Sequence, residues 1–298
     1  MNHNAFGMEK TEINKLLQNR NVRRYVETTL VSVIGALDVD DSEGLAYSLL
    51  DIAESYSSLG DYEARAHDLL ESQGVTAASI GEKLTGRADL IYDQIKDHIR
   101  GRVLDLGCGD GKVGEKIANE GLEVTLADTY KHDHIDETGL PFQEFRQLEQ
   151  VPLEDGQYDS VLLLTVMHHS SNPVKQEGYV AGTLEEAKRL AKPGGRIIAI
   201  ESVYGVNPGE VGNADEFTKL SSEEQRLTNI FFDHFYNRVI HYSEDHGKKV
   251  NVPFNFNTPE GWNAEAIALG MKPVATEHLG IDQPTVPEYH TLHVWEVE

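Results

Sequence analysis

Cysteine is nearly absent from this 298-residue chain, in which Cys108 is the only one. One cysteine excludes a disulfide framework within the chain and a thiolate metal cluster, and it favours a reducing compartment. Long apolar runs are also missing, and the first ten residues lack the apolar centre of a signal peptide. We therefore expect a soluble, cytoplasmic protein.

Positive charge is scarce as well. Lys and Arg number 26 against 50 Asp and Glu, which gives a formal net charge of −24, and no block of basic residues interrupts the acidic character. Such a surface repels polyanions, so we expect that the protein binds neither nucleic acid nor an anionic membrane. Small or cationic substrates remain compatible with it. The length has room for one large α/β domain and an accessory element.

A glycine-rich stretch from Arg102 to Ile117 reads R-V-L-D-L-G-C-G-D-G-K-V-G-E-K-I. A short apolar run that breaks into glycines and continues with helix-forming residues predicts a buried parallel strand, a tight turn and a helix. Gly107, Gly109 and Gly111 remove side chains where the backbone must bend sharply or approach a ligand closely. The pattern predicts a ligand-binding turn.

Two nucleotide-binding interpretations compete at this turn. Gly109, Gly111 and Gly114 match the spacing of a dinucleotide fingerprint, G-x-G-x-x-G. Asp105, two residues before the first glycine, argues against it, because a carboxylate there would repel a pyrophosphate and suit a cationic ligand. Asp128 lies 19 residues beyond Gly109, at the end of the next predicted strand, where an acid is placed to accept hydrogen bonds from ribose hydroxyls.

Four ordered motifs carry a family resemblance. The D-L-G-C-G-D-G run resembles motif I of class I S-adenosylmethionine-dependent methyltransferases, and Val151–Asp159 is similar to the family's approach to strand four. The V-M-H-H-S run from Val166 resembles the V-L-H-H run of many small-molecule methyltransferases, and Lys192–Gly195 resembles the turn before strand five. The resemblance covers about residues 87 to 298. It implies an α/β fold, a Rossmann-like sheet of seven strands in three α/β/α layers, with S-adenosyl-L-methionine as cofactor.

The chain divides into two predicted regions. Residues 1–86 show helical periodicity and predict an N-terminal helical cap, whereas residues 87–298 form the cofactor-binding domain. A helical insertion is expected at about residues 205–257. The resemblance implies that the cap either covers the substrate pocket or joins two subunits in a homodimer, and both alternatives stay open.

The candidate cofactor site combines the turn with several strand ends. The resemblance implies that the turn holds the amino acid end of the cofactor, that the helix before it reaches the cofactor's carboxylate, and that the end of strand four borders the sulfonium. Relatives often carry an Asp for the adenine amine where this chain has Gln147, whose carbonyl can still accept that hydrogen bond. The candidate cofactor-binding residues are Arg87, Tyr92, Asp105, Gly107, Cys108, Gly109, Asp128, Thr129, Gln147, Leu148, Thr165 and Val166.

The implied reaction is in-line transfer of a methyl group to a small acceptor, which needs a base only when the acceptor is protonated. The candidate catalytic residues are His169, Tyr179, Tyr204 and His234, with Tyr179 as a cation–π neighbour of the sulfonium. His168 or His169 could instead order its loop through a hydrogen bond. His132 and His134 lie on a polar loop without a third ligand at a suitable spacing, so no metal site is predicted.

Two alternative functions remain. The same cofactor could be cleaved in its aminobutyrate chain, which would release methylthioadenosine and form a cyclic amino acid such as azetidine-2-carboxylate. The chain could also be a non-catalytic scaffold that binds S-adenosylmethionine. We expect methyl transfer, and S-adenosylhomocysteine as its product.

Overall fold

The computed structural model describes residues 13–83, 86–146, 149–169, 182–243, 250, 252–282 and 286–298. These residues form two compact units. The helical unit takes its described residues from Met1–Thr85, Val203–Phe256 and Leu279–Tyr289, and the sheet unit takes them from Gly86–Ser202, Asn257–His278 and His290–Glu298. The middle insertion thus belongs with the N-terminal helices.

The helices differ in length and in how they begin. They are α1 (Ile13–Leu16), α2 (Arg20–Gly35), α3 (Ser42–Ser55), α4 (Leu59–Ser72), α5 (Ala77–Lys83), α6 (Arg87–Ile95), α7 (Lys112–Asn119), α8 (His134–Thr138), α9 (Thr183–Leu190), α10 (Asp215–Thr218), α11 (Ser222–His234) and α12 (Pro259–Ala268). Ser221 caps α11 with a capping box completed by Glu224, and Thr258 caps α12 ahead of its first-turn proline. Among the described residues, no helix combines the length and apolarity that crossing a bilayer requires.

Seven strands form one mixed sheet in the order β3-β2-β1-β4-β5-β7-β6. They are β1 (Val103–Leu106), β2 (Val124–Asp128), β3 (Phe142–Glu144), β4 (Tyr158–Leu164), β5 (Ala191–Ser202), β6 (Met271–Gly280) and β7 (His290–Val297). Strands β1 to β5 pair in parallel with their neighbours, and β7 runs antiparallel to β5. The predicted Rossmann-like seven-stranded sheet is confirmed, and its parallel arrangement brings the carboxyl ends of β1, β2, β4 and β5 to one edge.

The helical unit has a hydrophobic core of its own. Val22, Val26 and Leu30 recur every four residues along α2 and are fully buried, as their spacing predicts. Phe231 and Phe235 stack with ring centroids 6.3 Å apart in the same core. The second helical segment therefore completes the core that the N-terminal helices begin.

Several element boundaries differ from the sequence-based expectation. The sequence of the insertion predicts one helix from Ser221 to Ile240, but α11 ends at His234 and the chain continues as a π-helix over Phe235–Ile240. Wider i to i+5 hydrogen bonding ends that segment, since the His241 N–H donates to the Tyr236 carbonyl at 3.1 Å. The spacing of Ile91, Ile95 and Ile99 predicts a helix from Arg87 to Ile99, but α6 ends at Ile95, whose carbonyl accepts from both the His98 and the Ile99 N–H groups.

Candidate cofactor site and the edge of the sheet

The turn after β1 is tied to the end of β2 by its backbone. The N–H groups of Gly107 and Cys108 both donate to the Ala127 carbonyl, at 2.7 and 3.2 Å. Gly107 has a φ of +82°, and a Cβ atom there would lie 2.6 Å from Cγ2 of Val166. Glycine is therefore required for both conformation and space. A Cβ on Gly109 would meet nothing within 4 Å, so the turn presents bare backbone to open space at that residue.

Asp105 is a buried carboxyl group at the end of β1. Its side chain is 1% exposed, and neither oxygen makes a hydrogen bond of normal geometry to the described residues. Burial, followed by the nearby charges of Asp128 and Asp110, raises the pKa of Asp105 to about 7, and the Gly114 N–H offsets part of this shift. A cationic partner would compensate both the burial and the neighbouring negative charges.

Asp128 ends β2 beside the glycine turn. Its Oδ2 accepts a hydrogen bond from the Gly109 N–H at 2.8 Å, and its Oδ1 accepts one from the Thr129 N–H at 2.6 Å. A carboxylate offers about four acceptor positions. The two N–H groups and the Thr129 hydroxyl, which lies 3.3 Å from Oδ1, occupy three of them and leave one for a ribose hydroxyl. The carboxylate is thereby held at the turn, and its contact with a ribose stays a prediction.

These residues fit S-adenosylmethionine. Asp105 would pair with its cationic amine, Asp128 would accept a hydrogen bond from its ribose, and the backbone is open at Gly109. Burial raises the pKa of the Cys108 thiol, with added repulsion from Asp105 and Asp128, so this side chain stays a neutral thiol at the turn.

Beside the turn, Glu201 holds the segment that follows β4. This glutamate, at the carboxyl end of β5, is fully buried. Its Oε1 accepts hydrogen bonds from the N–H groups of Val166 and Met167, at 2.7 and 2.6 Å. Thr165, just before them, has a φ of +57°, a conformation that costs a non-glycine residue about 1 to 3 kcal/mol and persists only where its surroundings impose it.

The two histidines of this segment have different contacts. His168 is buried, and its Nδ1 lies 2.7 Å from Oε2 of Glu201. Because a carboxylate only accepts, Nδ1 of His168 carries the proton. His169 is partly buried, and its ring centroid lies 4.2 Å from that of His168. The contacts of His168 match the loop-ordering interpretation, and a catalytic role for His169 stays a prediction.

Sequence reasoning missed the role of Glu201. The available signal was an acid that ends an otherwise apolar strand, where burial requires partners for its charge. Those partners are two backbone N–H groups and a histidine located about 35 residues earlier in the sequence. A pairing of this kind depends on the β4–β5 register, which a single sequence does not specify.

The remaining cofactor candidates lie on α6 or outside the described residues. Arg87 and Tyr92 are both partly buried on α6, and the Lys116 ammonium lies over the Tyr92 ring at 5.4 Å from its centroid. Their predicted contact with the cofactor's carboxylate stays a prediction. Gln147, Leu148 and Tyr179 fall outside the described residues.

Tyr204 and His234 both belong to the helical unit. His234 is 1% exposed, its Nε2 lies 3.3 Å from Oε1 of Glu63, and its ring stacks on Tyr62 with centroids 5.4 Å apart. Glu63 also pairs with Arg238 at 3.0 Å. Tyr204 is partly buried against the helical core. These contacts give both side chains a place in the packing of the unit, and their catalytic roles stay predictions.

Comparisons with known proteins agree with this geometry. Residues 104–199 match a family model described as a methyltransferase domain. The ubiquinone biosynthesis O-methyltransferase of Aeromonas salmonicida (strain A449) is 31% identical over 119 residues, which are 37% of this chain and 47% of that protein. The enzyme of the same name from Maricaulis maris (strain MCS10) is 35% identical over 105 residues, 33% of this chain and 39% of that protein.

This chain thus spans less than half the length of these two relatives. Among solved structures, a Burkholderia thailandensis 1,6-didemethyltoxoflavin-N1-methyltransferase covers 82% of this chain and 92% of its own at 14% identity and a TM-score of 0.45. The family-model match begins in β1 and ends in β5, so it contains the glycine turn, Asp105 and Asp128. Residues 104–199, which carry the glycine turn, Asp105 and Asp128, thus match a methyltransferase domain, and the strand order of the sheet is the Rossmann-like one expected of it.

Proposed function

We propose that the protein transfers a methyl group from S-adenosylmethionine to a small molecule. The observation that carries the proposal is the buried Asp105 carboxyl group, which lies beside a glycine turn that also holds Asp128. A cationic amine satisfies such a carboxyl group, whereas a pyrophosphate would be repelled. The two relatives are O-methyltransferases, which favours an oxygen atom of the acceptor as the methylated position.

The chain's own residues contribute mainly alignment. Asp105 would bind the amine and Asp128 the ribose, which fixes both ends of the cofactor relative to the rigid end of β4. When bound, S-adenosylmethionine supplies an electrophilic methyl group on its sulfonium. Holding a nucleophile in line with such a group supplies about 7 to 11 kcal/mol. His169 is our proposed base, and it would take the proton of an acceptor hydroxyl as the new bond forms.

We propose that residues of the helical unit select the acceptor. Tyr236 and Asn237 lie on its π-helix, a feature that is frequent at functional sites. Asn237 donates to the Asp233 carboxylate at 2.7 Å, and burial, with the charge of Glu288, raises the pKa of Tyr236. A neutral phenol and a fixed amide can orient a polar acceptor. Tyr236→Phe should raise the KM for the acceptor while leaving the affinity for S-adenosylmethionine unchanged; a weaker cofactor affinity would contradict this assignment.

Product analysis tests the proposed function. Purified protein is incubated with methyl-labelled S-adenosylmethionine, alone and with a panel of phenols, catechols, amines and thiols, and the products are resolved by chromatography. We expect S-adenosylhomocysteine to form only when an acceptor is present, with the label on that acceptor. Enzyme-dependent methylthioadenosine in the absence of acceptor would replace methyl transfer with cyclisation, and tight binding without any product would indicate a scaffold. Asp105→Asn serves as the matched control for spontaneous breakdown.

A further inference from the structure

We infer that Glu201 is a positioning residue that sets both the cofactor-facing segment after β4 and the two histidines that follow it. The inference rests on the proposed function, because its kinetic consequence concerns methyl transfer. Glu201 would not touch the reacting atoms. It acts through three donors, the N–H groups of Val166 and Met167 and Nδ1 of His168.

The carboxylate is the centre of this arrangement because it accepts hydrogen bonds from all three donors. The Glu201 side chain is 0% exposed, so water does not compete for its donors. Its Oε1 accepts hydrogen bonds from the N–H groups of Val166 and Met167 at 2.7 and 2.6 Å, and its Oε2 accepts one from Nδ1 of His168 at 2.7 Å. Hydrogen bonds to a buried ionised group are short and stronger than neutral ones. Losing the carboxylate would leave these buried N–H groups without their acceptor.

The held segment contacts the cofactor turn directly. Val166 packs against Gly107 so closely that a Cβ atom on the glycine would lie 2.6 Å from Cγ2 of Val166. The preceding residue, Thr165, keeps its positive φ while its N–H donates to the Ile200 carbonyl at 2.7 Å. A shift at Val166 is thus transmitted to the turn between Asp105 and Asp128.

The same carboxylate also sets the second histidine. Glu201 fixes the His168 ring by accepting a hydrogen bond from its Nδ1–H group, and His169 lies against that ring at a centroid distance of 4.2 Å. Two functions are thereby joined at one side chain. Its first oxygen determines where the backbone beside the cofactor turn lies, and its second determines how the imidazole pair is oriented.

Substitutions of Glu201 can distinguish the roles of its two carboxylate oxygens. Glu201→Gln keeps a carbonyl oxygen for Val166 and Met167 but replaces the acceptor for His168 with an NH2 donor. Glu201→Ala removes both. Glu186→Ala is the matched control, since Glu186 is a buried glutamate that accepts the Val151 N–H at 2.7 Å ahead of β4.

Five readouts are measured on the variants: amide hydrogen exchange and the His168 Nδ1 proton signal by NMR, the melting temperature, the Kd for S-adenosylmethionine by calorimetry, and kcat with an acceptor that the wild type methylates. In Glu201→Gln we expect protection at Val166 and Met167 to persist, the Kd to change less than about threefold, and kcat to fall at least about tenfold. In Glu201→Ala we expect both amides to lose protection and the Kd to weaken about tenfold or more.

Glu186→Ala should lose protection at Val151 and melt at a lower temperature, with an unchanged Kd. Equal losses of affinity in Glu186→Ala and Glu201→Ala would reduce the role of Glu201 to general stability and overturn the inference. An unchanged kcat in Glu201→Gln, together with an unchanged His168 Nδ1 proton signal, would overturn it as well, even if Glu201→Ala fails to fold. The exchange and affinity measurements need no turnover. They therefore test the role of Glu201 even if no acceptor is methylated, and failure of the proposed function is distinguished from failure of this inference.

Discussion

Binding of S-adenosylmethionine should release a proton from Asp105. In the free protein, burial and the charges of Asp128 and Asp110 raise the pKa of this carboxyl group to about 7. Pairing with the cofactor's cationic amine would stabilise the ionised form and return the pKa towards its ordinary value of 3.8. Below pH 7 the proton must therefore leave before the ligand can pair with the carboxylate.

The size of this effect follows from linkage. With a pKa of about 7 in the free protein, protonation of Asp105 reduces the affinity by a factor of about 2 at pH 7 and about 100 at pH 5. The ratio predicts a Kd about fifty-fold weaker at pH 5 than at pH 7, or about 2.3 kcal/mol of binding free energy. About half a proton should be released per ligand at pH 7, and about 0.9 at pH 6.

Calorimetric titration in buffers of different ionisation enthalpy measures both quantities. Asp105→Asn should bind S-adenosylmethionine weakly and lose the pH dependence of the Kd. Protonation of S-adenosylmethionine itself affects both proteins equally, so the difference between wild type and variant reports on Asp105. Asp110→Asn leaves the Asp105 carboxyl group in place but removes one of the charges that raise the pKa of Asp105. The pH profile of binding should therefore shift to lower pH in this variant. A wild-type Kd that is flat between pH 5 and 7, or a profile that Asp105→Asn retains, would refute the pairing of Asp105 with the amine.

Three further predictions concern the sheet unit. Asp128→Ala should weaken binding of S-adenosylmethionine by about 1 to 3 kcal/mol, measured by calorimetry, and an unchanged Kd would remove Asp128 from the site. Burial and the nearby His278 lower the pKa of His293 from 6.5 to about 4. Below pH 6.5 His293 is protonated in the unfolded chain but stays neutral in the folded chain, so acidification to pH 4 should lower the free energy of unfolding by about 3 kcal/mol in denaturant titrations. His293→Gln should flatten this dependence of stability on pH. Gly107→Ala should weaken cofactor binding and lower the melting temperature more than Gly121→Ala, since both glycines have positive φ but only the first Cβ would collide with a neighbour. Equal effects of the two alanines would show that backbone strain alone is responsible.

The parallel half of the sheet was predictable because its signals are local. The apolar run Ser160–Val166 and the glycine turn at Gly107 each identify one strand end without reference to the rest of the chain. The limits of single strands were less predictable. β4 begins at Tyr158, where it pairs with Ala191 before a register shift, and this depends on a partner strand more than 30 residues away.

The interactions that sequence reasoning missed are the long-range polar ones. Glu201 meets His168 across the β4–β5 register, and Glu63 meets His234 across 171 residues of chain. His234 was expected to be catalytic from its position on an aromatic helix, and its observed partners are the buried Glu63 and the ring of Tyr62. A lone histidine pattern does not specify such partners, because burial and neighbouring helices determine them.

Parallel titrations with S-adenosylmethionine and with a nicotinamide dinucleotide test the cofactor assignment most directly. Both ligands carry a ribose for Asp128, and they differ in presenting a cationic amine or a pyrophosphate near Asp105. We expect saturable binding of S-adenosylmethionine that Asp105→Asn and Asp128→Ala both weaken, and much weaker binding of the dinucleotide. Tighter binding of the dinucleotide, or S-adenosylmethionine binding that neither substitution affects, would contradict this assignment.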